Sequence, residues 1–332
     1  MPRRRLALIG ALVLVPVIGF FGGRALLDSD AAEPVAATLR DTTTTAEDEP
    51  ATTTTTTEPP TTTTTAAATT TQPPGTNPAT APLPKPPRPG EPTAATTDEG
   101  LADQIRKAES AIAEPSTPDA ELAKQAHLQQ VAYRELVNAP QRKAPVLALL
   151  DPDLRTVVET NVAAGGKLRS MITKPRTSLP PWRIVPPAPA DELLGYYKAA
   201  EADLGVPWYY LAAIHLVETR MGRIRGNSEA NAQGPMQFLP ATWAQYGNGG
   251  DIQSNKDAIA AAGRYLKRNG APGDMRNAVW NYNHDFRYVD AVLAYGERMR
   301  DDERAYLGYH QWQVYYVTTN GDIWLPEGYT AE

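Results

Sequence analysis

The sequence predicts a mainly helical fold with one small β-hairpin near the C-terminus, preceded by an apolar N-terminal segment and a long linker. Three observations lead to this prediction. Apolar residues recur at helical spacing from about residue 98 to Tyr306, and Asn320-Gly321 separates two β-rich runs. Residues 28–97 are dominated by Thr, Pro and Ala, so about 230 residues remain for folded structure.

The composition excludes several classes of function. A net charge of -6 and a pI near 5.4 provide no basic field for following a nucleic-acid backbone. The chain has no cysteine, which removes disulfide bridges, thiolate metal sites and cysteine nucleophiles. We therefore expect no nucleic-acid partner, and no motif in the sequence predicts a cofactor.

Residues 1–27 are predicted to anchor the protein in a membrane. Three arginines precede an uncharged apolar run over residues 6–23, and about 18 residues is just enough for a helix to span a bilayer. The arginines are expected to stay cytoplasmic, so the rest of the chain would face outward as part of a single-pass membrane protein. The alternative is a cleaved signal peptide and a secreted protein, although the apolar run is long for one.

Residues 28–97 are expected to form a disordered linker. Stretches such as TTTTTTEPPTTTTT and PLPKPPRPG are too polar and too rich in proline to offset chain entropy by burial. In the polyproline II form, at about 3.1 Å per residue, such a linker would reach on the order of 200 Å from the membrane. This reach suits a folded head that works within a cell-wall layer.

Residues 98–180 are predicted to form helices that support the rest of the folded part. The segment DAELAKQAHLQQVAYRELV places Leu122 and Leu136 on one face at helical spacing. A second helix is predicted from Pro152, with Asp151 as its N-cap. Because no residues here suggest chemistry, a packed support is favoured over an independent binding module.

A second group of helices is predicted for residues 181–310, after the proline-rich connector TSLPPWRIVPPAPA. One of these helices is expected to follow Pro207, to run through WYYLAAIHLVETRM and to stop at Gly222. Residues 311–332 contain QVYYVTTNGDIWLP, in which an Asn-Gly pair joins the two β-rich runs. We expect a β-hairpin there.

The helix that follows Pro207 carries an acid on its apolar side. With 3.6 residues per turn, Glu218 stacks with Leu211 and with Ile214 or His215. Burial at this position would disfavour the charged form and raise the carboxyl pKa, so that the acid could donate a proton near neutral pH. The alternative is a residue at the edge of the stripe that pairs with a nearby arginine. Periodicity alone favours this alternative.

A loop rich in glycine and proline, GPMQFLPATW, follows Glu218 in the chain. It indicates a tight, irregular path of the backbone before a helix that starts near Pro240. Gln237 offers a donor and an acceptor that suit sugar hydroxyls and N-acetyl groups, and Met236 offers a soft apolar contact. Taken alone, the segment is also compatible with an ordinary loop.

Several segments, in this order, resemble the catalytic domain of lytic murein transglycosylases with a lysozyme-like fold. They are VET with Glu218, GPMQFLPATW, DAIAAAGRYLKRNG, NYN at residues 281–283, and RYVDAVLAY. The resemblance covers roughly residues 191–299. VETRMGRIRG is similar to the membrane-bound B-type branch of the family, and the anchor and linker are similar to those of actinobacterial members. The resemblance implies a lysozyme-like α+β domain.

The resemblance also implies an activity and a set of site residues. The activity is cleavage of the β-1,4 bond between N-acetylmuramic acid and N-acetylglucosamine in peptidoglycan, with a 1,6-anhydro product and no cofactor. Glu218 falls at the family's catalytic acid. Pro235 departs from the soluble-type motif and removes a backbone N–H donor. The residues implied to contact the glycan are Ser228, Gly234, Met236, Gln237, Tyr282 and Asn283.

The family's chemistry accounts for the lack of an evident second carboxylate. Ordinary glycosidases use two carboxylates that flank the scissile bond. Here the candidates are Glu229, Asp251 and Asp285, and none stands out by its position. A transglycosylase needs only one, since the C6 hydroxyl of muramic acid attacks C1 while Glu218 first donates and then accepts a proton.

Other polar segments have simpler explanations. YGNGGDIQSNKDAI is similar to a shortened calcium loop, but its carboxylates are only Asp251 and Asp257, so we predict a helix N-cap and no metal site. His215 is expected to be a packed histidine, and His284 borders the predicted groove without an evident partner. The aromatic residues of WYY and HQWQVYYV are expected in the core.

Three classes of function remain after sequence analysis. A transglycosylase of peptidoglycan is favoured, a muramidase that uses water on the same fold is second, and a wall-binding scaffold with an inactive site is third. The expected partners are peptidoglycan glycan strands and, through the N-terminal helix, the membrane.

Overall fold

Helices account for most of residues 90–331, the part of the chain that the computed structural model describes. The anchor predicted for residues 1–27 and most of the predicted linker lie outside the described residues. None of the described helices is both long enough and apolar enough to cross a bilayer. The α-helices are α1 Asp98–Ala113, α2 Asp119–Asn138, α3 Lys143–Ala148, α4 Pro152–Ser170, α5 Ala190–Leu204, α6 Trp208–Thr219, α7 Pro240–Tyr246, α8 Asn255–Arg268, α9 Met275–Tyr282, α10 Phe286–Asp301 and α11 Glu303–His310.

Helix starts agree with the local sequence signals. Asp151 caps α4, since its side chain accepts a hydrogen bond from the Leu154 amide at 3.0 Å, and Pro152 is the first helical residue. Helix α7 begins at Pro240, also as predicted. A 3₁₀ turn over Pro140–Arg142 leads into α3.

Helix α6 ends earlier than the sequence predicts. The expected stop was Gly222, but the last helical residue is Thr219. Arg220, Met221 and Gly222 follow with φ values of 54°, 56° and 83°, all in the left-handed region. The Thr219 hydroxyl accepts a hydrogen bond from the Gly222 amide at 3.0 Å. The chain therefore turns sharply directly after Glu218.

Two short antiparallel pairs of strands complete the fold. β1 Arg183–Ile184 pairs with β2 Ile224–Arg225. β3 Val314–Thr318 and β4 Gly321–Leu325 form the hairpin, and Thr318 faces Gly321 at its closed end. The hairpin predicted around Asn320-Gly321 is thus confirmed.

One hydrophobic cluster joins the two predicted groups of helices. Leu101 of α1 and Leu136 of α2 belong to the same buried cluster as Leu211 of α6 and Val292 of α10. Helix α4 packs on both α2 and α10. The helices of residues 98–180 therefore share a core with the second group of helices, and α4 packs directly on α10, the neighbour of α6.

Residues 90–97, the end of the predicted linker, are attached to the helices. The Ala95 amide donates a hydrogen bond to the Gln104 side chain at 2.9 Å, and Arg142 donates one to the Ala95 carbonyl at 3.1 Å. Folded structure therefore begins before the linker boundary that composition predicts.

Candidate active site

Glu218 lies on the last turn of α6 and is 0% exposed. Residues 210–219 of this helix are all buried, so the helix runs through the core and has no polar face. The expectation that the acid sits among apolar neighbours is confirmed, and the alternative of a residue at the edge of the stripe is wrong. Removal from water disfavours the ionised carboxylate.

The arginines that follow Glu218 use their side chains elsewhere. Arg223 forms an ion pair with Glu327. Arg220 donates from Nη1 to the Leu216 carbonyl at 2.6 Å, at the end of its own helix. The ion pair of Arg223 and the side-chain hydrogen bond of Arg220 are therefore made with groups other than the Glu218 carboxyl.

Tyr288 of α10 donates a hydrogen bond to Oε1 of Glu218 at 2.6 Å. Tyr288 is itself 0% exposed. Burial, and secondly the nearby carboxyl of Glu218, raise the pKa of Tyr288 well above its ordinary value, so its hydroxyl keeps its proton and stays a donor. Sequence reasoning missed this residue, although it lies within the RYVDAVLAY segment.

Tyr282 of α9 belongs to the same group of side chains. Burial, and then the carboxyl of Glu218, raise the pKa of Tyr282 well above its ordinary value. The ring packs edge-on against Phe238 and Tyr265, with centroids 5.9 Å and 5.6 Å away. Tyr282 therefore lies within electrostatic reach of the Glu218 carboxyl, while its contact with a glycan stays a prediction.

The loop of residues 234–237 is held against α6 and α9 through its carbonyl groups. The Thr219 hydroxyl donates to the Pro235 carbonyl at 2.6 Å. The Tyr282 hydroxyl donates to the Met236 carbonyl, also at 2.6 Å. Pro235 lacks an N–H group, but this loop is fixed by acceptors, so the proline does not weaken the attachment.

Gly234 and Met236 have close-packed positions within this loop. Gly234 has φ 73°, and a Cβ atom there would lie 1.8 Å from the carbonyl oxygen of Ile252, so only glycine fits. Met236 is 0% exposed and belongs to the main hydrophobic cluster. Their contact with a glycan stays a prediction, since neither offers a side chain to the surface in this structure.

Gln237 and Asn283 each bury a polar atom that has no partner among the described residues. These atoms are Oε1 of Gln237 and Nδ2 of Asn283, and the two residues are 3% and 6% exposed. Gln237 Nε2 donates to the Gly234 carbonyl at 2.9 Å, which fixes the amide. A buried polar atom without a partner costs about 1–3 kcal/mol, so such atoms are typical of positions where a ligand supplies the missing bond.

Ser228 is placed differently from the other predicted contacts. Its Oγ accepts from the Ala232 amide at 2.9 Å, and its own amide donates to the Ala232 carbonyl at 3.0 Å. These bonds close a turn over residues 228–232. In the described structure the hydroxyl therefore stabilises the loop and makes no hydrogen bond to Glu218.

The acids considered for a second carboxylate have partners elsewhere. Glu229 forms an ion pair with Arg176. Asp285 forms an ion pair with Arg287 and also caps α10. Asp251 accepts a backbone hydrogen bond in the turn before α8. Glu218 is thus the acid that the structure places beside Tyr282 and Tyr288.

The turn before α8 is an N-cap, as predicted. Ser254 Oγ accepts from the Asp257 amide at 3.3 Å, and the Asp257 carboxylate accepts from the Asp251 amide at 3.0 Å. In residues 90–331, no group of three or more His, Asp or Glu side chains is placed to hold a metal ion.

The two histidines considered for catalysis have structural contacts. His215 is fully buried, its Nδ1 lies 2.7 Å from the Tyr197 hydroxyl, and burial lowers its pKa to about 3. The prediction of a packed histidine is confirmed. His284 packs edge-on against Trp280, with ring centroids 4.1 Å apart.

Comparison of the chain with protein-family models, with curated proteins and with solved structures finds no match. The case for a function therefore depends on the residues around Glu218 and on the order of the motifs that contain them.

Proposed function

We propose that the protein is a lytic transglycosylase that cleaves the bond between N-acetylmuramic acid and N-acetylglucosamine in peptidoglycan. The observation that carries this proposal is the fully buried carboxyl of Glu218, which accepts a 2.6 Å hydrogen bond from Tyr288. Tyr282, which joins this group, also holds the loop of residues 234–237. The ordered motifs in the sequence point to the same acid.

One carboxyl group suffices for both proton transfers in this reaction. Protonated Glu218 gives its proton to the glycosidic oxygen, which takes the bonding electrons from C1 and leaves as a hydroxyl of N-acetylglucosamine. The C6 hydroxyl of the same muramic residue forms a bond to C1, and the Glu218 carboxylate takes its proton. The product carries a 1,6-anhydro ring, Glu218 is protonated again, and no water is consumed.

The surroundings of Glu218 suit this sequence of steps. Full burial disfavours the ionised carboxylate, which favours the protonated acid that the first step needs. The Tyr288 hydroxyl keeps its proton because burial and the neighbouring carboxyl raise its pKa. It can therefore donate to the carboxylate that exists between the two transfers.

The polar atoms of Gln237 and Asn283 are suited to a sugar ligand. Oε1 of Gln237 would accept from a sugar hydroxyl or an N-acetyl N–H group, and Nδ2 of Asn283 would donate to a sugar oxygen. Because Glu218 is 0% exposed, the proposal requires that glycan binding uncovers the carboxyl. Loops of many enzymes move when substrate binds and when product leaves.

Digestion of purified, peptide-free glycan strands by the full-length protein tests the proposal. Mass spectrometry of the released fragments is expected to detect anhydromuramic ends, which are lighter by one water than reducing ends. Reducing ends would instead indicate a muramidase that uses water. Release of neither product would favour a wall-binding scaffold.

The proposed function places the folded part outside the cytoplasmic membrane. Residues 1–27 would anchor the chain, and residues 28–89 would form most of a tether long enough to reach into the wall. Protease added to intact spheroplasts is expected to remove the folded part and to leave the N-terminal segment with the membrane. Release into the medium of a chain that lacks the N-terminal segment would indicate cleavage of that segment.

A further inference from the structure

A cavity of about 50 Å³ lies among helices α2, α4 and α10, the end of α6 and strand β4. A void of roughly 10–15 Å³ is enough for one water molecule, so this cavity has room for several waters or a small ion. Its charged lining residues are Arg134, Arg169, Arg220 and Asp322, and its amide side chains are those of Gln130, Asn138 and Asn161.

The positive charges that line this cavity outnumber the negative ones. Asp322 is the one carboxylate in the lining, and it accepts hydrogen bonds from Arg134 at 2.5 Å, from Asn138 at 2.9 Å and from Arg169. Both Asp322 oxygens are therefore engaged by two guanidinium groups. The third guanidinium, that of Arg220, shares the cavity but not this carboxylate.

Arg220 is a buried cation without an anionic partner among the described residues. The residue is 9% exposed, and its hydrogen bond is the one from Nη1 to the Leu216 carbonyl at 2.6 Å. Arg223, which is comparably buried, has Glu327 as its ion-pair partner. Burial of an unpaired charge is costly, and the neighbouring Arg134 adds repulsion. The lining therefore has an excess of positive charge, and Arg220 is the guanidinium group in it that has no carboxylate partner among the described residues.

We propose that this cavity binds a small monovalent carboxylate, with Arg220 as its principal ligand and Arg134 as the second. A carboxylate matches the planar fork of a guanidinium better than a spherical anion does. The cavity already holds one carboxylate, that of Asp322, between guanidinium groups, and an incoming carboxylate would repeat this arrangement. Its occupant would connect the end of α6 with helix α2. The proposal does not depend on the transglycosylase function.

Thermal unfolding of the full-length protein in detergent, with formate as the probe, tests this proposal. Sodium formate replaces sodium methanesulfonate at constant ionic strength, because the bulkier methanesulfonate is a poor fit to the cavity. A saturable rise of the unfolding temperature is expected, since a ligand that binds only the native state stabilises it by mass action. Line broadening of ¹³C-formate by the protein measures the same Kd independently.

Two variants with the same change of charge decide whether the cavity is responsible. Arg220→Met is expected to raise the formate Kd by at least about tenfold, the equivalent of about 1.4 kcal/mol. Arg268→Met removes an exposed arginine at the end of α8 and is expected to leave Kd unchanged. An equal, unsaturable effect of formate on all three proteins, or no effect on the wild type, would overturn the proposal. If Arg220→Met does not fold, Arg134→Met, which removes the second proposed ligand, replaces it, and an unchanged Kd there overturns the proposal.

Discussion

Tyr288 and Glu218 are joined by a 2.6 Å hydrogen bond between two fully buried side chains, one on α10 and one on α6. The two helices pack directly on each other. Since neither group is in contact with bulk water, the tyrosine hydroxyl determines how the carboxyl is oriented and solvated. The pair is therefore both a structural link between the helices and the centre of the proposed chemistry.

Glu218→Gln is expected to abolish the release of fragments with anhydromuramic ends from peptide-free glycan strands. Glutamine keeps the shape of the side chain but has no proton to give, so we expect at least about a 10³-fold loss of rate. The folded state is expected to persist, with a free energy of unfolding within about 1 kcal/mol of the wild type. Glu229→Gln, which changes an exposed acid, is the matched control and should remain active. Retained activity in Glu218→Gln would refute the assignment of the acid.

Tyr288→Phe is expected to lower the rate of glycan cleavage by about 10²-fold and the free energy of unfolding by about 1–3 kcal/mol. The ring is kept, while a donor to a buried carboxyl oxygen is lost. Tyr306→Phe is the control, since it removes a hydroxyl that donates to the Ala190 carbonyl at 2.6 Å, away from the acid. That variant should lose stability without loss of rate at the temperature of the assay.

A double-mutant cycle distinguishes the contribution of the Tyr288–Glu218 hydrogen bond from that of the packing of the Tyr288 ring. In Glu218→Gln/Tyr288→Phe, the losses of stability are expected to be non-additive by about 1 kcal/mol, because Tyr288→Phe removes the hydrogen bond between the two side chains and Glu218→Gln changes its acceptor from a carboxyl to an amide oxygen. Urea unfolding at neutral pH gives the free energy of unfolding of the wild type, the two single variants and the double variant. Strict additivity would mean that Tyr288 acts only through packing.

Gly234→Ala is expected to destabilise the protein by at least about 2 kcal/mol more than Gly205→Ala. Both glycines have φ 73°, so the backbone strain of a side chain is the same at the two positions. A Cβ atom at Gly234 would lie 1.8 Å from the Ile252 carbonyl oxygen, whereas one at Gly205 meets nothing within 4 Å. Equal losses of stability for Gly234→Ala and Gly205→Ala in urea unfolding would show that the loop of residues 234–237 moves away from the Ile252 carbonyl at no cost in free energy.

Local features of the fold could be predicted from the sequence because they depend on neighbouring residues. The Asn320-Gly321 pair marks the closed end of the hairpin, and Asp151 with Pro152 marks the start of α4. The end of α6 was misplaced because its signal, Gly222, is preceded by two residues that adopt left-handed conformations without being glycine. Nothing in the local sequence distinguishes such residues.

The centre of the candidate site could be predicted only in part. Periodicity predicts that Glu218 lies on an apolar stripe. This kind of pattern describes a helix with one buried face, whereas the residues of α6 from 210 to 219 are buried on every side. Tyr288 was missed because its contact with the acid joins residues that are far apart in sequence. The cavity beside Arg220 could not be predicted for the same reason, because its lining residues are far apart in the sequence.

Acidification below pH 6.5 is expected to destabilise the protein partly through His215. The imidazole is buried and hydrogen-bonded to Tyr197, and its pKa falls from 6.5 to about 3 on folding, with burial as the largest cause. Between pH 6.5 and pH 3 the unfolded chain therefore binds a proton that the native state does not, so stability falls as pH falls through this window. Well above pH 6.5 both states are neutral and the group has no effect.

His215→Gln removes this contribution while keeping a polar side chain near Tyr197. The loss of stability between pH 6.5 and pH 4.5 is expected to be smaller in the variant by about 2 kcal/mol, because the unfolded imidazole goes from half to almost full protonation over this range while the native one stays neutral. Urea unfolding at both pH values measures this difference. His284→Gln changes an exposed histidine and is expected to alter the pH dependence much less, because that residue is only partly removed from water. An unchanged pH dependence in His215→Gln would contradict this prediction, because it would mean that the native imidazole takes up a proton in this pH range as readily as the unfolded chain does.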